Sequence, residues 1–122
     1  MARSILLQLA RDSIQEVLEA QRTIKKQELL SQHPLLGEII ATSIKLYIDK
    51  EPRGEATTTF PSSSLIDDII KNAKMAAFEN KDYEPITTSE YLNCEIELIL
   101  TTEDGIISER DPSILKTTKF AL

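Results

Sequence analysis

Cysteine and histidine each occur once and tryptophan not at all in this chain of 122 residues. One thiol excludes an internal disulfide and a thiolate metal cluster, and one imidazole leaves few zinc arrangements open. Cationic charge is also in deficit, with 14 Lys and Arg against 20 Asp and Glu and a formal net charge of −6. No nucleic-acid partner is expected, because phosphate affinity comes from clustered cations. Apolar runs stay well short of the roughly 18 to 20 residues of a membrane helix, so no membrane partner is expected either. The start Met1-Ala2-Arg3 runs into an amphipathic segment without an apolar signal core or cleavage site, which predicts a cytoplasmic protein. No nucleophile elbow or P-loop occurs.

What is present suits one core: 41% of residues are hydrophobic and no linker or repeat divides the chain, so a single domain over 1–122 is expected. From Ser4 to Glu19, Ile5, Leu6, Leu9, Ala10, Ile14, Val17 and Leu18 fall on one helical face, with Arg11, Asp12, Gln15 and Glu16 opposite. A shorter helix is predicted from Ile24 to Gln32, ending before Pro34. The period then drops to two. Thr42, Ile44, Leu46 and Ile48 alternate with Ser43, Lys45, Tyr47 and Asp49 as a half-buried strand, and Asp49 to Pro52 reads as a turn into an extended stretch, Arg53 to Phe60. Ser64 with Asp67 resembles a capping box, and the helix it opens runs to Glu79 with alanines in its second half, which lets a neighbour approach closely. After a helical turn at Thr88 to Leu92, Cys94 to Leu100 alternates as the clearest strand, with Cys94 inward as an inert thiol. Thr101 to Pro112 reads as polar loop and Ile114 to Leu122 as a final strand. The sum is an α+β fold, a small largely antiparallel sheet packed with two to three helices.

Candidate chemistry is sparse. If Arg53 to Phe60 is a regular strand, Arg53, Glu55, Thr57 and Thr59 share one face, and Gly54 permits a bulge or close backbone approach. Such a row would orient a small polar ligand, Arg53 gripping a carboxylate or phosphate in bidentate fashion and Glu55 accepting from it. An ion pair on a solvated strand is the simpler alternative. His33 reads as a helix-end residue rather than a base, and Asp67 and Asp68 as partners of a helix dipole. Glu95 and Glu97 read as a solubilising face rather than a metal site, because no further ligand is apparent. No cofactor and no metal is expected.

The stretch from Leu65-Ile66-Asp67-Asp68 to Phe78-Glu79, with Asp82-Tyr83-Glu84-Pro85-Ile86 and Leu92-Asn93-Cys94-Glu95-Ile96-Glu97-Leu98, resembles the AMMECR1 domain family. The order of the pieces matches too, over about a hundred residues. Where that family carries Leu-Arg-Gly-Cys-Ile-Gly, this chain has Pro52-Arg53-Gly54-Glu55-Ala56-Thr57, so no role of the family's cysteine transfers. The resemblance implies an α+β domain without a settled activity, associated with Memo-like and radical-SAM proteins. It also implies that the family's domain continues beyond Phe120-Ala121-Leu122, which predicts an incompletely covered sheet and a homodimer built around the C-terminal segment. The leading functional expectation is a ligand- or protein-binding accessory module. The alternative is an enzyme on a small polar or anionic substrate, with Arg53 as electrophilic anchor and Glu55 as general base.

Overall fold

The computed structural model describes residues 4–102 and 104–114. Helix α1 spans Ile5–Glu19, α2 Lys26–Gln32, α3 Leu65–Phe78 and α4 Thr88–Leu92, with a 3-10 turn at Pro34–Gly37. Strands β1 (Ala41–Ile48), β2 (Glu51–Thr57), β3 (Cys94–Thr102) and β4 (Gly105–Asp111) form one antiparallel sheet in the order β2-β1-β3-β4. The α+β class holds, and the helices that build the core are the two long ones, α1 and α3. None of the described helices is long and apolar enough to cross a membrane.

Alternation places Ile44 and Leu46 of β1 and Cys94, Ile96 and Leu98 of β3 on one face, buried against Leu9, Ala10 and Ile14 of α1 and Ile66, Ile69 and Ala73 of α3. The opposite face carries Ser43, Lys45, Tyr47, Glu97 and Ile99 and is only half-buried. Asp49 and Lys50 turn β1 into β2 with φ of 52° and 69°, the geometry whose twist suits a two-residue hairpin. The alanine-rich end of α3 lies directly on β2: a Cβ at Gly54 would run into the Ala76 carbonyl oxygen.

Three local expectations change. The stretch 101–112 is a strand and turn, not a loop. On the helix side of the sheet it sets Ile107, Glu109 and Asp111 opposite Leu100, Leu98 and Ile96; Ile107 stays 55% exposed, and two carboxylates at the other positions hid the alternation. They are accommodated because Asp111 accepts from the Arg11 Nε and Glu109 accepts from the Ser4 hydroxyl at 3.3 Å. Arg11 accordingly is not on the solvated side of α1 but is fully buried, its Nη2 donating to the Cys94 and Pro112 carbonyls at 2.7 and 3.0 Å, while Val17 is exposed. Ser64 does occupy the N-cap of α3, yet its side chain makes no capping bond. The reciprocal box is found at α4 instead, between Thr87 and Glu90. The final strand expected after Ile114, and with it the C-terminal dimer contact, lies outside the described residues.

Cys94 is wholly buried, and that burial pushes its thiol up to about 11. Native protein near neutral pH should therefore react with a thiol reagent only as fast as it opens, and full labelling within seconds would contradict this.

Candidate functional site

Between Leu46 and Tyr47 the β1–β2 register slips: Leu46 stands opposite Gly54 and Tyr47 opposite Pro52, so Arg53 is the extra residue of a β-bulge. A bulge re-aims its side chain. Arg53 reaches α4, donating through Nε to Glu90 Oε2 and through Nη2 to Glu90 Oε1, both at 3.0 Å, and through Nη2 to the Glu84 carbonyl at 2.8 Å. Its guanidinium also lies over the Tyr83 ring, 5.6 Å from the centroid. The same Glu90 closes the capping box, accepting from the Thr87 backbone N–H at 3.1 Å. Arg53 thus ties the segment after α3 to the edge strand.

That segment walls a cleft of about 210 Å³ on the β2 side of the sheet. Lys45, Tyr47 and Glu55 line it from the strands, Gly54 and Leu46 form its floor, and Asn80, Asp82 and Tyr83 close the far side. Asn80 pins this wall by donating from Nδ2 to the Glu55 carbonyl at 2.9 Å. Burial, then the hydrogen bond to Glu97 at 3.1 Å, pushes the Tyr47 hydroxyl above its ordinary range, so it stays a neutral donor at physiological pH.

Of the residues singled out in the sequence, Gly54 and Glu55 line the cleft and Arg53 supports its wall. Thr57 lies on the same exposed face as Glu55, sharing a hydrogen bond with Ser43 at 2.8 Å, and Thr59 lies beyond the end of β2. Arg53 spends Nε and Nη2 on Glu90 and Glu84 rather than on Glu55. Glu95 and Glu97 both face Arg110, at 3.8 and 3.6 Å. Asp67 pairs with Lys26, and His33 sits at the junction of α2 and the 3-10 turn.

Asp68 is not a surface dipole partner. It is buried, accepting from the Thr42 N–H at 2.9 Å, the Thr42 hydroxyl at 2.7 Å and the Thr58 hydroxyl at 2.8 Å. Asn72 completes this network through Nδ2, donating to the Thr42 and Thr58 hydroxyls at 2.8 and 2.9 Å. The network fastens the chain just past β2 to α3. Sequence reading missed it, and missed Lys45, Tyr47, Asn80, Asp82 and Tyr83 as cleft residues. Asp82-Tyr83 belonged to a loop with no local pattern, and the strand residues read as ordinary solvated alternation.

Hydrogen bonds from Arg53 outweigh burial and, with the Thr87 N–H, hold the Glu90 carboxyl below the usual carboxylate range. A depressed folded value contributes stability that is present above the unfolded value and is lost as pH falls through the folded one. The melting temperature should therefore fall more steeply for wild type than for Glu90→Gln between about pH 5 and pH 3. Parallel curves would show that the Arg53–Glu90 pair contributes nothing to folding.

A four-stranded antiparallel sheet with two long helices on one face and a cleft at its β2 edge defines a two-layer α+β domain. The AMMECR1 family model matches residues 7–117, and the chain belongs to that family. A solved structure of an uncharacterized protein from Pyrococcus horikoshii has the same fold, with a TM-score of 0.71 and 24% identity, over 80% of this chain and 49% of that one. The chain therefore spans about half the length of that protein. No curated protein matches the chain significantly. No biochemical activity is established by the family or by this neighbour.

Proposed function

We propose that this domain is an accessory binding module whose cleft recognises a cationic group, a guanidinium or ammonium carried by a partner or small ligand. The lining supports this reading: Glu55 and Asp82 bring two carboxylates and Tyr47 and Tyr83 two rings to about 210 Å³, with Lys45 the one cation of the lining, and each ring already carries a guanidinium, of Arg110 and Arg53 respectively. Carboxylates and aromatic faces are the two surfaces that attract a desolvating cation. A volume below the roughly 300 Å³ at which drug-sized sites begin suits one side chain or head group, not a large cofactor. In this reading Gly54 and Glu55 are contact residues and Arg53 is a support. We assign the module to the cytoplasm, and a Memo-like or radical-SAM partner, which the family resemblance implies, would present the cation as a Lys or Arg side chain.

Calorimetry with arginine amide, and separately with inorganic phosphate, tests the proposal. Binding of arginine amide is expected, weakened at least about fivefold by Asp82→Asn at unchanged melting temperature, as loss of a charge-assisted contact requires. Phosphate binding that depends on Arg53, with no binding of arginine amide, would overturn it in favour of an anion site.

A further inference from the structure

The sheet face opposite α1 and α3, half-buried among the described residues, carries one row of charge that runs across all four strands. Glu55 of β2 stands opposite Lys45 of β1, Lys45 opposite Glu97 of β3, and Glu97 opposite Arg110 of β4. The signs read minus, plus, minus, plus. Such a row is its own complement when its order is reversed. A twofold axis parallel to the strands, passing between β1 and β3, reverses that order while leaving the row at the same height. Glu55 then meets Arg110 of the second copy and Lys45 meets Glu97 of the second copy, each contact occurring twice. A twofold axis across the strands would instead set each charge against its own kind. The register therefore selects one symmetry.

We infer that this face is a docking surface for a second copy of the chain, packed sheet against sheet about a twofold axis parallel to the strands. Sheets that pack face to face cross at about 30°, which displaces the outer strands by less than about 4 Å, within reach of an arginine and a glutamate. Arg110 now leans across β3 over the Tyr47 ring, 5.1 Å from its centroid, and its side chain is 59% exposed. Its ion pairs with Glu95 and Glu97 are long, 3.8 and 3.6 Å, beyond hydrogen-bond distance, so the guanidinium can re-aim toward the second copy. The face carries Glu55, Glu95 and Glu97 against Lys45 and Arg110, so most of the chain's −6 lies elsewhere and opposes association only weakly at physiological salt. A face about 19 Å by 24 Å covers on the order of 900 Å² over two copies, which corresponds to a weak, reversible dimer rather than an obligate one.

This contact rests on the charge register and not on the ligand of the cleft. The partner's Arg110 would arrive at Glu55 on the cleft rim, so Asp82→Asn, which leaves the row intact, separates the two proposals. Sedimentation equilibrium on the wild-type chain should show a monomer–dimer equilibrium in the micromolar range or weaker. Glu55→Arg and Arg110→Glu, each confirmed folded by circular dichroism, should each weaken self-association at least about tenfold, since either change sets like charges together twice. An equimolar mixture of the two should recover association as a heterodimer, because the reversed charges then face one another. Should either variant fail to fold, the wild type alone decides: raising salt from about 50 to 500 mM should weaken the dimer at least about tenfold. A monomer at every concentration to about 1 mM, a dimer indifferent to both variants, or a mixture that stays monomeric would each overturn the inference.

Discussion

Arg11→Ala should lower unfolding free energy by about 3 to 5 kcal/mol, the usual cost of removing one partner from a buried ion pair. Arg11 is 1% exposed and Asp111 5%, so water cannot replace the lost cation. Asp111 loses the Nε bond, and the Cys94, Pro112 and Tyr91 carbonyls lose their shared donor at 2.7, 3.0 and 3.5 Å. The stacking of the guanidinium on Tyr91, 5.3 Å from the ring centroid, goes with it. The damage should be local in its order of appearance: amide exchange in β4, 105–111, should rise before that in β1 and β3, because Arg11 is the main tie between α1 and that edge strand. The double variant Arg11→Met with Asp111→Leu should recover at least about half the loss, since an apolar pair carries no desolvation cost. A single variant within about 0.5 kcal/mol of wild type would mean that the pair merely breaks even with solvation.

Gly54→Ala should destabilise the domain by about 2 to 4 kcal/mol, and here the sign is the informative part. Gly54 has no positive φ, so the ordinary expectation for glycine in a strand is that alanine stabilises by about 0.4 to 1 kcal/mol through the unfolded chain. The Ala76 carbonyl reverses that expectation. Its oxygen occupies the position that a Cβ would take, and Asn80 Nδ2 would lie only 3.3 Å away. The obstacle is backbone, so neither Ala76→Gly nor Asn80→Ala should rescue the variant, whereas trimming a side-chain clash would. Because Gly54 also floors the cleft, the same shift of α3 away from β2 should weaken any ligand bound there. Stabilisation by Gly54→Ala would refute the close approach itself.

The bulge at Arg53 decides what the cleft can bind. A regular strand would have set Arg53 beside Glu55 as anchor and acceptor for an anion. The bulge spends that guanidinium on Glu90, Glu84 and Tyr83, and the carboxylates of Glu55 and Asp82 are left to define the cleft. Both residues of the Arg-Gly pair have a structural part: glycine admits α3, and arginine holds the loop that follows it.

By itself the sequence determined the elements whose signal is periodic and local. The 3.6 spacing of α1 and α3, the alternation of β1 and β3, the turn at Asp49-Lys50 and the inward Cys94 all follow from which side chains must leave water along a short stretch, and the alanines of α3 foretold a close neighbour. Tertiary structure alone decided the features in which a polar residue is buried because a distant partner satisfies it. Arg11 and Asp111 lie 100 positions apart, and each reads as solvated until the other is placed beside it. Asp68 likewise looks like a first-turn acid until Thr42 and Thr58 arrive, and β4 reads as loop until its inward carboxylates find Arg11 and Ser4. The cleft and the charge row belong to the same class. Local pattern reports the cost of exposing apolar atoms, whereas a satisfied buried charge, a bulge that redirects Arg53 and a complementary row across four strands depend on register between segments far apart in the chain.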